Sequence, residues 1–158
     1  MSLKRVQEYL EKEGISDRLK VFHESSATVE LAAQALGCEP ARIAKTMSFL
    51  LGDEAILIVT AGDVKVDNKK FKEQFHQKAK MIPGDLVEEY IGHAPGGVCP
   101  FAIKEHVPVY MDVSLKRFEI VYPAGGDAHS AVELTPAELE RYSHSCGWVD
   151  VCKVREAV

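Results

Sequence analysis

The spacing of apolar positions changes several times along the chain, and each change marks a predicted element. Leu3, Val6 and Leu10 recur at helical spacing over residues 3–13, Ser2 stands at the cap position, and Gly14 closes the run. KVFHE (20–24) reads as a short strand. SSATVELAAQALG (25–37) reads as a helix with a Ser or Thr cap and a glycine stop, and Pro40 opens a short helical turn after it. In AKTMSFLLGDEAILIVTAG two strand-like runs flank Gly52-Asp53, which predicts a hairpin. Asp67 is placed to cap a helix whose Phe71, Phe75 and Ala79 share a face. Asp85 and Glu88 have capping-box spacing at the start of DLVEEY, and Gly92 ends that helix. VCPFAI, VPVYMD, FEIVYPAG, SAVEL and WVDVC then read as strands, interrupted by a helix that starts at Thr135-Pro136-Ala137-Glu138 with cap, proline and box glutamate in order. Helices followed by grouped strands with short connections predict an α+β domain over residues 1–158, with a mixed, mostly antiparallel sheet flanked by helices.

Two places break this pattern. Along 43–51, strand alternation sets Ile43, Lys45, Met47, Phe49 and Leu51 on one face and Ala44, Thr46, Ser48 and Leu50 on the other. Lys45 therefore sits among large apolar side chains, where a lysine is rarely buried without a partner. Snorkelling to the rim of the core is the plain account. The functional one is an ammonium projecting into a pocket on the sheet, where it holds an anionic or carbonyl oxygen. The second break is GHAPGGVCPFA (92–102), with three glycines, two prolines and a thiol in one connection. A tight helix-to-strand turn accounts for the composition. The sharper reading is a backbone that presents N–H groups around Gly96 and Gly97 as an oxyanion site. His93 and Cys99 also invite a Cys–His nucleophile, although no local signature of a cysteine hydrolase surrounds them.

Composition narrows the function classes. The 158 residues are 46% hydrophobic and 27% charged, as in ordinary globular proteins. No apolar run approaches the roughly 18 residues of a membrane span, and the charged N-terminus has no signal-peptide centre. These features predict a cytoplasmic protein with no membrane partner. Cys38, Cys99, Cys146 and Cys152 make no Cys-x-x-Cys pair, and the six histidines make no His-x-x-x-His pair. Free thiols and no metal or other cofactor are the expectation. The net charge of −5 argues against gripping nucleic acid by bulk electrostatics. The charge is uneven, however. Residues 65–80 carry Lys65, Lys69, Lys70, Lys72, Lys78 and Lys80 against Asp67 and Glu73, which makes either a solvated face or a local phosphate patch.

Four segments in order, ARIAKTMSFLL, TAGDVKVDNKKF, GHAPGGVCPFA and VYPAGGDAHSAVEL, resemble the YbaK family, which is related to the editing domain inserted in bacterial prolyl-tRNA synthetases. The resemblance spans roughly residues 20–152. It implies a compact α+β fold with a curved mixed sheet and a pocket on the face that carries the lysine. It also implies a trans-acting aminoacyl-tRNA deacylase, which hydrolyses the ester of a mischarged small amino acid, with tRNA-Pro among the candidate carriers. The family's lysine falls on Lys45, and its Gly-x-x-x-Pro loop on Gly96, Gly97, Val98, Cys99 and Pro100. The implied catalytic set is Lys45 with the Gly96 and Gly97 backbone. Phe22, Met47, Val98, Cys99, Pro100 and His129 are implied at the pocket or its rim, with Cys99 as lining or packing rather than nucleophile. Members that remove cysteine carry an acidic residue where this chain has Ala131. The implied partners are a tRNA acceptor end carrying the wrong amino acid, met by Lys69, Lys70 and Lys72, and an aminoacyl-tRNA synthetase. Two rivals stand beside this reading: a non-catalytic binding module of the same fold, and a small-ester hydrolase built on Cys99 and His93.

Overall fold

The hairpin at Gly52-Asp53 forms the centre of the fold. The computed structural model describes residues 2–154. In it β2 (Ile43–Leu51) pairs antiparallel with β3 (Glu54–Ala61) along their whole length, with Lys45 opposite Thr60 and Thr46 opposite Val59. The run of apolar residues in β3 has a direct cause. Ile56 to Val59 are all buried, because β3 lies inside the sheet and is covered on both faces. β5 (Val109–Asp112) pairs parallel with the other side of β3, and β8 (Gly147–Val149) pairs parallel with β5. β6 (Tyr122–Pro123) adds a short parallel pairing to the outer edge of β2 and completes the order β6-β2-β3-β5-β8. Two antiparallel ribbons stand apart: β1 (Leu19–Val21) with β7 (Ser130–Val132), and β4 (Val64–Val66) with β9 (Cys152–Val154). The α+β class and the mixed sheet are thus as expected. The longest pairing and both ribbons are antiparallel, while the shorter pairings of the main sheet are parallel.

Helices cover the sheet. α1 (Ser2–Lys12) buries Val6 and Leu10 completely. α2 (Val29–Leu36) is capped by the Thr28 hydroxyl, which accepts from Leu31 N–H, and stops at left-handed Gly37. α3 (Asn68–Phe75) starts at Asp67, whose carboxylate accepts from the Lys69 and Lys70 N–H groups. Phe49, Phe71, Phe75 and Tyr110 form an aromatic chain with centroids 5.1, 4.8 and 5.2 Å apart, which fixes α3 to the sheet. α5 (Pro136–Tyr142) has the full capping box of Thr135 and Glu138, and Arg18 clamps the same glutamate through both carboxylate oxygens.

Three sequence expectations are corrected. Asp85 and Glu88 do not form a capping box: a 3-10 turn at Gly84–Leu86 precedes α4 (Val87–Ile91), and Leu86 stands at the cap without a side-chain bond. VCPFAI is not a strand. Pro100 has no N–H to give a ladder, and Ala102 adopts a left-handed φ of 51°, so the apolar residues there reach the core from an irregular segment. WVDVC is two strands rather than one. The buried Asp112 carboxylate accepts from Val151 N–H at 3.0 Å, which diverts the chain from β8 into β9.

Candidate active site

The outer edge of β2 is only partly covered. β6 pairs with Ile43 and Ala44, and Met81 bridges Phe49. No strand among the described residues pairs with 45–47 on that side. A cavity of about 190 Å³ opens at this gap, well below the roughly 300–1,000 Å³ typical of drug-sized sites. Because it wraps around a strand edge, residues from both faces of β2 reach it: Ile43 and Lys45 from one, Ala44 and Thr46 from the other. The N-terminal turn of α2, with Ser26 and Thr28, forms a second wall, and Gly96 and Val98 form a third.

Lys45 is partly buried, and its Nζ donates to the Val64 carbonyl. That carbonyl is held in place by its neighbour. Asp63 takes both guanidinium nitrogens of Arg117 at 3.0 and 2.5 Å, which pins the turn into β4. The Arg117 hydrogen bond is also the main reason the Asp63 carboxyl titrates below its ordinary range. The lysine is therefore aimed by a fixed partner instead of roaming in solvent.

The glycine-rich connection is a reverse turn. Ala94 C=O accepts from Gly97 N–H at 3.1 Å, Pro95 takes the second position, and Gly96 takes the third with φ of 90°. This is the arrangement of a type II turn, which requires a positive φ at its third residue. Gly97 is needed for a different reason. A Cβ there would lie 2.5 Å from Asp127 Cα and 2.7 Å from both Asp127 N and Gly126 O. The loop thus packs backbone to backbone against 126–127. The Gly97 N–H, expected from the sequence to face substrate, is consumed by the turn. Val98 N–H and Cys99 N–H have no partner among the described residues, and Val98 lines the cavity.

The other sequence-predicted residues divide sharply. Cys99 and Pro100 are buried and lie outside the cavity lining. Met47 packs against the main core, and Phe22 and His129 also lie outside the lining. Phe22 N–H donates to the His129 carbonyl at 2.7 Å, so this pair closes the β1–β7 ribbon beside the site. Cys99 and His93 do meet, at 3.5 Å, but in the wrong state for nucleophilic catalysis. His93 Nε2 lies 2.7 Å from the Phe101 carbonyl, which only accepts, so Nε2 carries the proton and cannot take one from the thiol. Burial lowers the His93 pKa, and burial pushes the Cys99 thiol up to about 12. Under native conditions at pH 8, iodoacetamide is expected to label exposed Cys146 and spare Cys99, as read by peptide mass spectrometry. Rapid Cys99 labelling with matching loss of activity would restore the Cys–His reading.

Lys69 and Lys72 line a separate hollow together with Lys78 and Asn68. Lys70 is not part of it: its Nζ is held by Asp150 Oδ1 at 3.1 Å and the Cys152 carbonyl at 3.0 Å. Sequence reasoning missed Ser26, Thr28, Thr46, Tyr122 and Ser130 as lining residues. SSAT was legible only as a helix start, and nothing local indicates that β6 and β7 bring Tyr122 and Ser130 to the same wall. Among the described residues no helix is long and apolar enough to cross a membrane, and no group of three His, Cys, Asp or Glu side chains gathers to hold a metal.

A sheet edge opened beside a lysine, with a glycine turn against it, makes this an α+β domain with a small pocket at the edge of β2. A solved structure proposed to be a trans-editing enzyme for prolyl tRNA synthetase has this fold, with a TM-score of 0.86 and 29% identity over 96% of this chain and 97% of that one. Residues 23–142 match the aminoacyl-tRNA editing domain, and the chain belongs to that family. It is 50% identical over 154 residues to the uncharacterized protein YwhH of Bacillus subtilis (strain 168), covering 97% of this chain and 98% of that protein. It is also 28% identical over 120 residues to the proline–tRNA ligase of Bacillus pumilus (strain SAFR-032), covering 75% of this chain and 21% of that enzyme.

Proposed function

We propose that this chain is a trans-acting aminoacyl-tRNA deacylase that hydrolyses the ester of a mischarged small amino acid, with tRNA-Pro as a candidate carrier. The observation that carries this reading is that Lys45, Gly96 and Val98 line one small cavity, although about fifty residues separate the lysine from the loop in sequence. Family membership supports the reading, and so does the similarity to a proline–tRNA ligase.

In this mechanism the ester carbonyl lies against the Val98 N–H, which stabilises the oxyanion as water adds to the carbonyl carbon. Collapse of the tetrahedral intermediate breaks the bond between that carbon and the ribose oxygen. The proton lost by water ends on the released ribose hydroxyl, and the free amino acid leaves. Lys45, steered by Val64, positions the acyl oxygen or the terminal nucleotide. No side chain of the lining is placed as an obvious general base, so a ribose hydroxyl of the substrate is assigned to orient the water. Editing by such a second site is chemically required wherever a synthetase must separate amino acids that differ by one methylene, because an apolar pocket then discriminates by only about 1–3 kcal/mol.

The test is a panel of tRNAs charged with labelled wrong amino acids. The wild type shortens the lifetime of at least one ester, whereas unchanged lifetimes for all of them contradict the proposal. The lysine hollow is assigned to the tRNA backbone. Replacing Lys69, Lys72 and Lys78 with alanine is expected to weaken tRNA binding and to flatten its dependence on log salt by about 2–3 in slope. Lys70→Ala is expected to act mainly on stability. An unchanged salt slope in the triple variant would remove the hollow from the interface.

A further inference from the structure

The β4–β9 ribbon carries a charge arrangement that its own stability does not ask for. Its register sets Lys65 directly opposite Lys153. Directly opposite residues of an antiparallel pair share a face, and like charges there destabilise the pairing. Both lysines are exposed, while Val64 and Cys152 beside them are buried, so the two ammonium groups stand on the solvent face of the ribbon. The carboxylates nearby are committed elsewhere. Asp63 is taken by Arg117, and Asp150 by Lys70. Asp67 serves as the cap of α3, where the Lys70 N–H lowers its carboxyl pKa most and Lys153 contributes less. Neither Lys65 nor Lys153 forms an ion pair among the described residues.

The ribbon also joins the two parts of the molecule already assigned to substrate. At one end of β4 the Val64 carbonyl receives the Lys45 ammonium, and Lys45 lines the cavity. At the other end Val66 leads through Asp67 into α3, whose Lys69 and Lys72 line the lysine hollow. The segment leading into β9 and β9 itself are tied to the start of the same helix. Asp67 N–H donates to the Val151 carbonyl at 2.8 Å, and Lys70 Nζ to the Cys152 carbonyl at 3.0 Å. Lys65 precedes Lys69 by so few residues that their Cα atoms lie at most about 14 Å apart. The lysine pair therefore stands between cavity and hollow. The cavity, at about 190 Å³, is too small for a nucleotide, so the last nucleotides of a charged tRNA lie outside it on the adjoining surface.

We infer that the outer face of the β4–β9 ribbon binds the unpaired 3′ strand of the acceptor end, with Lys65 and Lys153 set across from each other to take its phosphates. This rests on the deacylase reading and adds a surface to it. A phosphate between the two ammonium groups turns their repulsion into a shared attraction. The arrangement is thus unfavourable in the free protein and favourable in the complex. Contacts of this kind hold the strand in place without reading its bases.

The experiment uses an uncharged RNA hairpin of the acceptor-stem duplex, with and without its unpaired 3′ tail, and follows binding by fluorescence anisotropy. The wild type is expected to bind the tailed hairpin more tightly than the blunt one. Replacing Lys65 and Lys153 together with alanine lowers affinity for the tailed hairpin by about tenfold at low salt and flattens its log-salt slope by about 1.4, or about 0.7 for each single-strand contact, while binding of the blunt hairpin changes by less than about twofold. Lys65→Glu gives a second readout. An opposite-charge pair then replaces the like-charge one, so the thermal midpoint rises by about 1–3 °C while binding of the tailed hairpin weakens. A raised midpoint with unchanged affinity for the tailed hairpin means that the pair only guards the ribbon against pairing, and overturns the inference. An equal loss on both hairpins also overturns it, because the duplex would then lie on the ribbon, and so does a wild type that binds neither. The readout is independent of hydrolysis. Tail binding that needs Lys65 and Lys153, in a protein that cleaves no ester, keeps the surface and removes the deacylase reading. Ester cleavage by a protein whose ribbon variants bind the tail as the wild type does keeps that reading and removes the surface.

Discussion

Lys45→Ala lowers kcat/KM for aminoacyl-tRNA hydrolysis by about 100-fold or more, the scale on which losing one positioned electrostatic group acts. The side chain lines the cavity and is aimed by the Val64 carbonyl, which the Arg117–Asp63 clamp holds still. An alanine there deletes the charge without disturbing the β2–β3 ladder, whose bonds are made by backbone. The structural loss includes the partly exposed hydrogen bond to the Val64 carbonyl, about 1 kcal/mol, for which the thermal midpoint moves by about 2–4 °C. The combination identifies the role: a collapse of rate with a nearly intact fold. Full activity in Lys45→Ala would show that the lysine only snorkels at the rim of the core.

Gly97→Ala has the largest expected effect on stability, about 2–3 kcal/mol or a drop of roughly 5–10 °C. The added methyl would meet backbone atoms of 126–127, which cannot turn aside as a flexible side chain can. Nor can that segment retreat, since Gly126 is itself so close to α1 that a Cβ there would lie 2.9 Å from the Ser2 carbonyl oxygen and from Val6 Cγ2. The loop must shift instead, carrying Val98 with it, and a displacement of about 1 Å at a reacting centre can lower the rate by about 100-fold. Gly84→Ala is the control: open space surrounds that position, and its stability should change by less than about 0.5 kcal/mol. Calorimetry on the two variants checks the contrast, and equal midpoints would mean that the close approach at Gly97 carries no strain.

Much of the site was legible in the sequence because its signals are local. Lys45 stands out by alternation alone, and the proline and glycines of 94–97 announce a turn. What was not legible depends on groups that the fold supplies from far away. The Gly97 N–H looked available until the turn closed on the Ala94 carbonyl. The close packing at 97 involves a segment about thirty residues on. Cys99 and His93 meet although their spacing across a glycine turn did not require it, and the Phe101 carbonyl decides which ring nitrogen bears the proton. Lys70 belongs to the densest lysine run, but Asp150 and Cys152 draw it away from the hollow. Sheet topology was hardest to anticipate. WVDVC reads as one strand, yet its two halves belong to two sheets, and the buried aspartate on β5 holds Val151 between them.

The central claim is that the ester carbonyl rests between Lys45 and the loop that follows the glycine turn. It is tested most directly by a crystal structure with a non-hydrolysable mimic, an amino acid joined through an amide to 3′-amino-3′-deoxyadenosine. The account predicts the amide carbonyl oxygen about 3 Å from the Val98 N–H, with Lys45 within reach of the acyl or ribose oxygens. A mimic bound elsewhere on the chain, with this cavity left to solvent, would contradict it.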